Sequence, residues 1–506
     1  MAARSIPPPE DTAWRADSTF LLVAAVVLLI ARLPVIPVRF FDPDELEHSH
    51  AAWSLFRGLL PYRDFFEHHT PWYYFALSPL FHGFAVDQSF DSARRFLIFA
   101  RVLSLLLTGL SAVLAFRVGR LAADRRVGLL TAMFLLAQPV LIQKTLEIRP
   151  DVPALAFFLG ALGSLLRGLL EEGRSATRSF RWFLGGGLCL GAAVMCTQKM
   201  LFVLPGALVG LGLWTLAGRR RGLALRILAV LLFVVGVAVP GLLTWIGFAL
   251  HGGGRQFIYN NFLLNARWRL RSDRHVLVVL ETSAPILLLG VLGAWVALQR
   301  FFRARQRRYA DVLLLSILGG LIVGIPVVPA AYKQYYLMPL PIAGLFAAKG
   351  FSFLVDLLPD RLRARFVVWA CLPLLIWPLV DLGRSLTRRD DQQIGRLRYV
   401  FEHTRPADPV LDGWLGTGVF RPHPLYYFFM HSELLAMLSE RDRDAYLDAL
   451  ESGRARPSLI AVDVELMALG PRFGHFVQTR YATADGVFYL PASVHPATKG
   501  VDRPSR

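Results

Sequence analysis

Three of the four carboxylates in the stretch FFDPDELEHSH, residues 40–50, fall within four positions: Asp42, Asp44 and Glu45. An ionised carboxylate beside a bound acceptor can take its proton as a general base, typically for about 10²–10⁴-fold in rate. The same residues also spell a helix start. Asp42 fits the N-cap, Pro43 the first helical position and Glu45 the third, where it would close a capping box with Asp42. Asp44 has no such duty. At the second helical position the positive helix end favours its ionised form, which makes Asp44 the first candidate base and Glu45 a secondary one. A further acid, Asp151, opens the apolar run of KTLEIRPDVPALAFF, as a helix cap or as a second catalytic group. Glu147 is a weaker neighbour.

Cations placed near such acids could stabilise a departing anion. The candidates are Arg149, Lys199 in CTQKM, Lys333 in AAYKQYYLMPLP, and Arg255, Arg267 and Arg269 of GGGRQFIYNNFLLNARWRLRSDRH. Plain alternatives are snorkelling for the two lysines and a solvated or lipid-facing loop for the arginines, which Arg271 and Arg274 extend. Tyr62, His68, His69, Tyr332 and Tyr335 are candidate polar or aromatic contacts for a bound substrate. Five of the 12 histidines, His48, His50, His68, His69 and His82, share the first long polar loop. With Asp44, Glu45 and Glu67 they offer donors for a divalent ion. Their spacing matches no ligand motif, so no metal is assigned and no cofactor is expected to be required.

These groups need a frame, and composition says what kind. The 506 residues are 55% hydrophobic and 18% charged, unlike a soluble domain. With about 20 apolar residues needed per span, roughly eleven spans are expected, from Ser18–Pro37 through Val127–Ile142 and Trp182–Cys196 to Phe366–Leu382. The first follows Arg4 and Arg15 and precedes no small-residue cleavage site, so it reads as an uncleaved anchor. Alternate connections carry arginine clusters, such as Arg117, Arg120, Arg125 and Arg126, or Arg219, Arg220, Arg221 and Arg226. With the N-terminus inside, all of these fall in the cytoplasm, as positive-inside bias requires. That accounts for most of the net charge of +18 and argues against a nucleic-acid partner. Arginine far outnumbers lysine, which suggests a GC-rich bacterial genome and hence a bacterial cytoplasmic membrane. The three cysteines, Cys189, Cys196 and Cys371, lie in apolar runs and form neither a disulfide framework nor a zinc spacing.

The candidate site residues fall on the other face. Residues 38–95 form the first outer loop, in which the helix from Asp44 should lie along the interface on its apolar side. A second helix is expected with Thr70 as cap and Pro71 at its first position. After the last span, residues 384–506 mix short apolar runs (SLIAVDV, GVFYL) with the helical HSELLAMLSERDRDAYLDAL, which suits a small extracytoplasmic α/β domain. Within it FRPHPLYYFF could contact an acceptor or pack on the membrane body.

The loop FFDPDELEHSHAAWSLFRGLLPYRDFFEHHTPWYYFALSPL resembles the first outer loop of polytopic GT-C glycosyltransferases, above all protein O-mannosyltransferase and aminoarabinose transferase relatives. Those families share an Asp-Glu pair after the first span, then a G-x-x-P-Y-x-D stretch, then a proline-containing aromatic run. This chain has His69-Thr70-Pro71 where relatives often carry Lys-Pro-Pro. The resemblance covers residues 1–383 and implies a GT-C-like catalytic body. It also implies inverting transfer of a hexosyl or pentosyl group from a polyprenyl-phosphate donor to a protein, lipid or glycan acceptor. Asp44 falls on the family's catalytic acid, and Asp151 would face the same cavity. The competing class is a secondary transporter or flippase. Transporters place ionisable residues near the midplane on broken helices, whereas here the span interiors are nearly free of charge, Lys349 being the main exception.

Overall fold

The computed structural model describes residues 12–217, 220–267, 274–301, 308–328, 331–387, 391–483 and 485–492. Arg269 and Arg271 lie outside them. Among the described residues, ten helices are long and apolar enough to cross a membrane, or eleven if one bent pair is counted as a single span. In chain order the membrane body runs α1 (Thr12–Ile30), α2 (Pro43–Phe56), α3 (Trp72–Leu77), α4 (Phe90–Ala122), α5 (Arg125–Ala137), α6 (Pro139–Thr145), α7 (Asp151–Glu171) and α8 (Ala176–Cys196). It continues with α9 (Val203–Leu216), α10 (Arg220–Leu250), α11 (Gly254–Ile258), α12 (Arg274–Phe301), α13 (Arg308–Gly324), α14 (Pro339–Asp356) and α15 (Asp360–Thr387).

Small residues let these helices approach closely, which is how helices associate where lipid is as apolar as leucine. A Cβ on Gly293 of α12 would lie 1.7 Å from the Phe346 carbonyl oxygen of α14. Lys349, the charge expected inside a span, pairs with Asp311 of α13. One span departs from expectation. Val127–Ile142 was expected to be a single span, but α5 and α6 meet at 67°. Pro139 disfavours helical geometry at the residue before it, and Gln138 is extended there, with ψ 125°. The Gln138 side-chain amide donates to the Leu340 carbonyl at 3.1 Å, which holds the break against α14. The turn brings Gln143 and Lys144 to the wall of a polar cavity.

Beyond α15 come α16 (Asp391–His403), β1 (Val410–Asp412), α17 (Ser432–Met437), α18 (Glu440–Glu451), β2 (Leu459–Ala461), α19 (Val464–Met467), α20 (Pro471–Arg480), β3 (Tyr481–Thr483) and β4 (Phe488–Pro491). The strands form one sheet in the order β1-β2-β4-β3. β1 runs parallel to β2, with Val410 opposite Leu459, and the other two pairs are antiparallel. A parallel pair needs a crossover, which α17 and α18 supply.

Two expectations for the first loop do not hold. Helix α2 does not lie open at the interface: every residue from Glu45 to Ser54 is buried. The reason is the α/β layer above it. His50 stacks on Phe428 at 4.5 Å and meets the Val419 carbonyl at 3.0 Å, while Trp53 packs edge-on to Phe420. FRPHPLYYFF is therefore largely packing. At Gly416, φ is +69° and a Cβ would come within 2.6 Å of the Leu46 Cβ, so the layer seats on the start of α2 through a position that only glycine fits. Thr70 is not a cap either. Its hydroxyl donates to the Val194 carbonyl at 2.7 Å, and α3 begins after Pro71 with no side-chain cap.

Candidate functional site

The start of α2 has the local geometry its residues require. Asp42 accepts from the Asp44 backbone N–H at 3.2 Å, Glu45 accepts from the Asp42 N–H at 3.0 Å, and Pro43 fills the first helical position. This turn projects Asp42, Asp44 and, one turn on, Glu47 into a cavity of about 600 Å³. Residues i and i+3 share a helix face, so the spacing of Asp44 and Glu47 was a usable sign that Glu47 belonged to the site.

Opposite Asp44 stands Arg149. Its guanidinium meets Asp44 and Glu147 directly and Asp42 at 3.2 Å. Lys144 lies 3.2 Å from Asp42 and 3.0 Å from Glu147, and Arg39 reaches Glu147 at 2.8 Å. Cations and acids thus alternate around one wall. Burial opposes ionisation of Asp44, yet Arg149, Lys144 and His69 together hold its carboxyl below the usual range. Burial opposes ionisation of Glu147 as well, and Arg149 and Lys144 again prevail. Glu47 goes the other way. Burial, then Glu67 and Asp44, push it well above the ordinary carboxylate value.

The second expected acid is one layer back. Asp151 begins α7 without capping it and is buried 2.8 Å from Lys199, which does line the cavity. Lys199 also lies over the Tyr335 ring at 5.0 Å. Lys333, Tyr332, Tyr335, His68 and His69 all line the cavity as well. Glu45 does not. It is fully buried in a two-point pair with Arg101, at 2.7 and 2.8 Å, and accepts from the Ile148 N–H at 3.0 Å. Tyr62 is also off the cavity: buried at φ +70°, it donates to the His69 carbonyl at 2.6 Å and so positions that loop. Arg255 and Arg267 are exposed and away from the lining, Arg267 lying 6.0 Å over the Tyr259 ring. An outer location said nothing about which way these side chains point.

Several lining residues escaped the sequence reading. Lys144 is one of them, set apart in the sequence only by the scarcity of lysine beside arginine. Trp414, His431 and Glu433 come from the α/β layer, and Glu433 meets the Tyr332 hydroxyl across the cavity mouth. Trp414 packs edge-on to His431 at 4.9 Å, and burial drives the His431 imidazole down to about 3. No local pattern links residues so far apart in the chain.

Asp42→Ala removes both a helix cap and a partner of Lys144 and Arg149. The expected loss is about 1–3 kcal/mol, more than a cap alone, read as a drop in thermal unfolding temperature in detergent.

Residues 97–245 match the family of dolichyl-phosphate-mannose-protein mannosyltransferases, a stretch that holds Lys144, Glu147, Arg149, Asp151 and Lys199. No curated protein matches the chain. Among solved structures, ArnT from Cupriavidus metallidurans bound to undecaprenyl phosphate is similar, with TM-score 0.62 and 14% identity over 95% of this chain and 98% of that one. The Archaeoglobus fulgidus oligosaccharyltransferase in the apo form gives TM-score 0.60 and 12% identity over 90% of this chain and 70% of that one. The same oligosaccharyltransferase in complex with Zn and sulfate gives TM-score 0.57 and 13% identity over 93% and 72%. This chain is a polytopic membrane protein with the GT-C glycosyltransferase fold.

Proposed function

We propose that the chain transfers a sugar from a polyprenyl-phosphate-linked donor to an acceptor on the outer face of a bacterial cytoplasmic membrane, with inversion and with Asp44 as general base. The observation that carries this reading is the cavity itself. Among the acids that line it, Asp44 faces the cavity together with Arg149, Lys144, Lys199 and Lys333, and a carboxylate beside cations is what an attacking hydroxyl and a departing phosphate require. The mannosyltransferase family match and the undecaprenyl phosphate bound to ArnT support a lipid-phosphate donor. The arginine clusters at the helix ends away from the cavity support an outward-facing site and a cytoplasmic N-terminus. Residues 1–383 would form the catalytic body, and residues 384–506 an outer domain that closes the cavity mouth.

In the resting site Arg149 clamps Asp44. A bound donor phosphate competes for Arg149, Lys144 and Lys199, and that exchange frees Asp44 to face the acceptor. The acceptor oxygen forms its bond to the sugar carbon as its proton passes to Asp44. The bond from that carbon to the phosphate oxygen breaks, and polyprenyl phosphate departs with its charge held by the same cations. Attack opposite the leaving group inverts the sugar carbon, and no covalent enzyme intermediate is needed. The acids Glu47 and Glu67 and the imidazoles of His68 and His69 offer donors that also fit a divalent ion, which would supply further positive charge beside the phosphate.

The test gives the purified chain a radiolabelled sugar on a polyprenyl-phosphate carrier together with envelope extract. Label should move from carrier to acceptor. No label transfer, together with solute movement by vesicles that hold the chain, would establish a transporter instead.

A further inference from the structure

We infer that the acceptor is a neutral carbohydrate, held against the cavity by Trp414, Glu433 and Glu465 of the α/β layer. The assignment rests on the transferase reading and names the second substrate of that same site. The walls of the cavity differ in chemistry. Arg149, Lys144, Lys199 and Lys333 all come from the membrane body. The α/β layer brings Trp414, His431, Ser432, Glu433 and Glu465 and, among the described residues, neither a lysine nor an arginine. Burial holds the His431 imidazole neutral, with its pKa down to about 3, so it does not offset the two acids.

Trp414 is set in place by the loop that carries it. Just before it, the Asp412 carboxylate ending β1 accepts from the backbone N–H groups of Leu415 at 3.0 Å and of Gly416 and Gly418 at 3.1 Å. The Trp414 N–H donates to the Asp463 carboxylate beyond β2. Phe429 at 4.8 Å and His431 at 4.9 Å pack the indole, yet the residue stays partly exposed and lines the cavity. A side chain ordered in advance loses little freedom when a ligand binds. The face of its ring carries the negative end of a quadrupole, which attracts the polarised C–H face of a sugar ring.

The carboxylates supply the rest. An ionised carboxylate only accepts hydrogen bonds, at about four lone-pair sites. Glu433 receives the Tyr332 hydroxyl on one oxygen and faces His431 Nδ1 at 3.1 Å with the other, which leaves lone pairs for ligand hydroxyls. Glu465 of α19 adds a second acceptor on the same lining. A neutral sugar offers O–H donors to both acids and its C–H face to Trp414. An anionic acceptor instead meets two like charges, and such contacts reject wrong partners. A peptide brings backbone carbonyls that need donors, and this layer presents mainly acceptors.

The purified full chain in detergent is given labelled sugar on a polyprenyl-phosphate carrier. The acceptors are neutral methyl hexosides, the matching methyl hexuronides, a peptide rich in serine and threonine, and envelope extract. Label is expected on a hexoside, with kcat/KM for its hexuronide lower by about tenfold or more. Trp414→Ala should raise KM for the hexoside about tenfold and leave KM for the donor unchanged, and Trp414→Phe should recover most of that loss. Glu433→Gln combined with Glu465→Gln should raise kcat/KM for the hexuronide about tenfold, a gain that damage to the fold cannot produce. Label on the peptide or on an anionic lipid of the extract, with none on any hexoside, overturns the assignment and leaves the transferase reading standing. Equal labelling of hexoside and hexuronide overturns it as well. Label that never leaves the carrier, even with extract, overturns both readings.

Discussion

Asp44→Asn should lower transfer by about 10²–10⁴-fold while leaving donor binding intact. Asparagine keeps the shape of the side chain and can still accept from the surrounding cations, but it cannot take a proton. Arg149, Lys144, Lys199 and Lys333 remain to hold a phosphate, and release of Arg149 from its carboxylate partner should, if anything, tighten the donor. The loss should therefore appear in kcat, with KM for the donor unchanged or lower. The pH profile gives an independent check. In the free protein, burial opposes ionisation of Asp44 but Arg149, Lys144 and His69 hold its pKa below the ordinary aspartate value. The acid limb of kcat/KM, which reports the free enzyme, should accordingly lie below that of an ordinary aspartate. Donor phosphate then draws Arg149 away, so the acid limb of kcat should move upward. Near-normal turnover by Asp44→Asn with purified donor would end the base assignment. If Asp42→Ala were the inactive variant and Asp44→Ala the active one, the two acids would have exchanged roles.

Local chemistry made the start of α2 legible. Asp42, Pro43 and Glu45 act within one helical turn, so their types and spacing were enough to foresee the cap and to leave Asp44 over as the candidate base. The membrane body was legible for a similar reason, because each span is a contiguous run of apolar residues. The bend at Gln138 was signalled by Pro139, but the run of apolar residues on either side concealed it. What could not be read depends on pairing at a distance. Asp151 finds Lys199 and Tyr332 finds Glu433 only once the helices and the α/β layer have packed. The burial of α2 has the same origin: its modest apolar side suited an interface, and only docking of Gly416, Phe420 and Phe428 covers the rest of it.

Glu45 shows how two acids with nearly the same sequence context can differ in kind, and Glu45→Gln is expected to destabilise the chain by about 3–5 kcal/mol. Its carboxylate holds Arg101 of α4 through two bonds, accepts from Ile148 before α7, and closes the cap of α2 through the Asp42 N–H. Arg101 in turn donates to the carbonyls of Ile36, Arg39 and Phe40, and lies 3.8 Å over the Phe41 ring. Both side chains are at most 1% exposed. Glutamine preserves volume but leaves the buried guanidinium without a counter-charge, and that uncompensated charge is the main source of the loss. Replacing both residues, as Glu45→Gln with Arg101→Gln, should cost less than the sum of the single changes, because the stranded charge disappears. Unfolding followed in detergent measures each term. Transfer per folded molecule supplies the contrast with Asp44: Glu45→Gln should keep most of its kcat at a temperature where it remains folded. If Glu45→Gln instead unfolds like the parent chain and loses transfer, Glu45 handles the proton and the buried pair with Arg101 is not what the site uses it for.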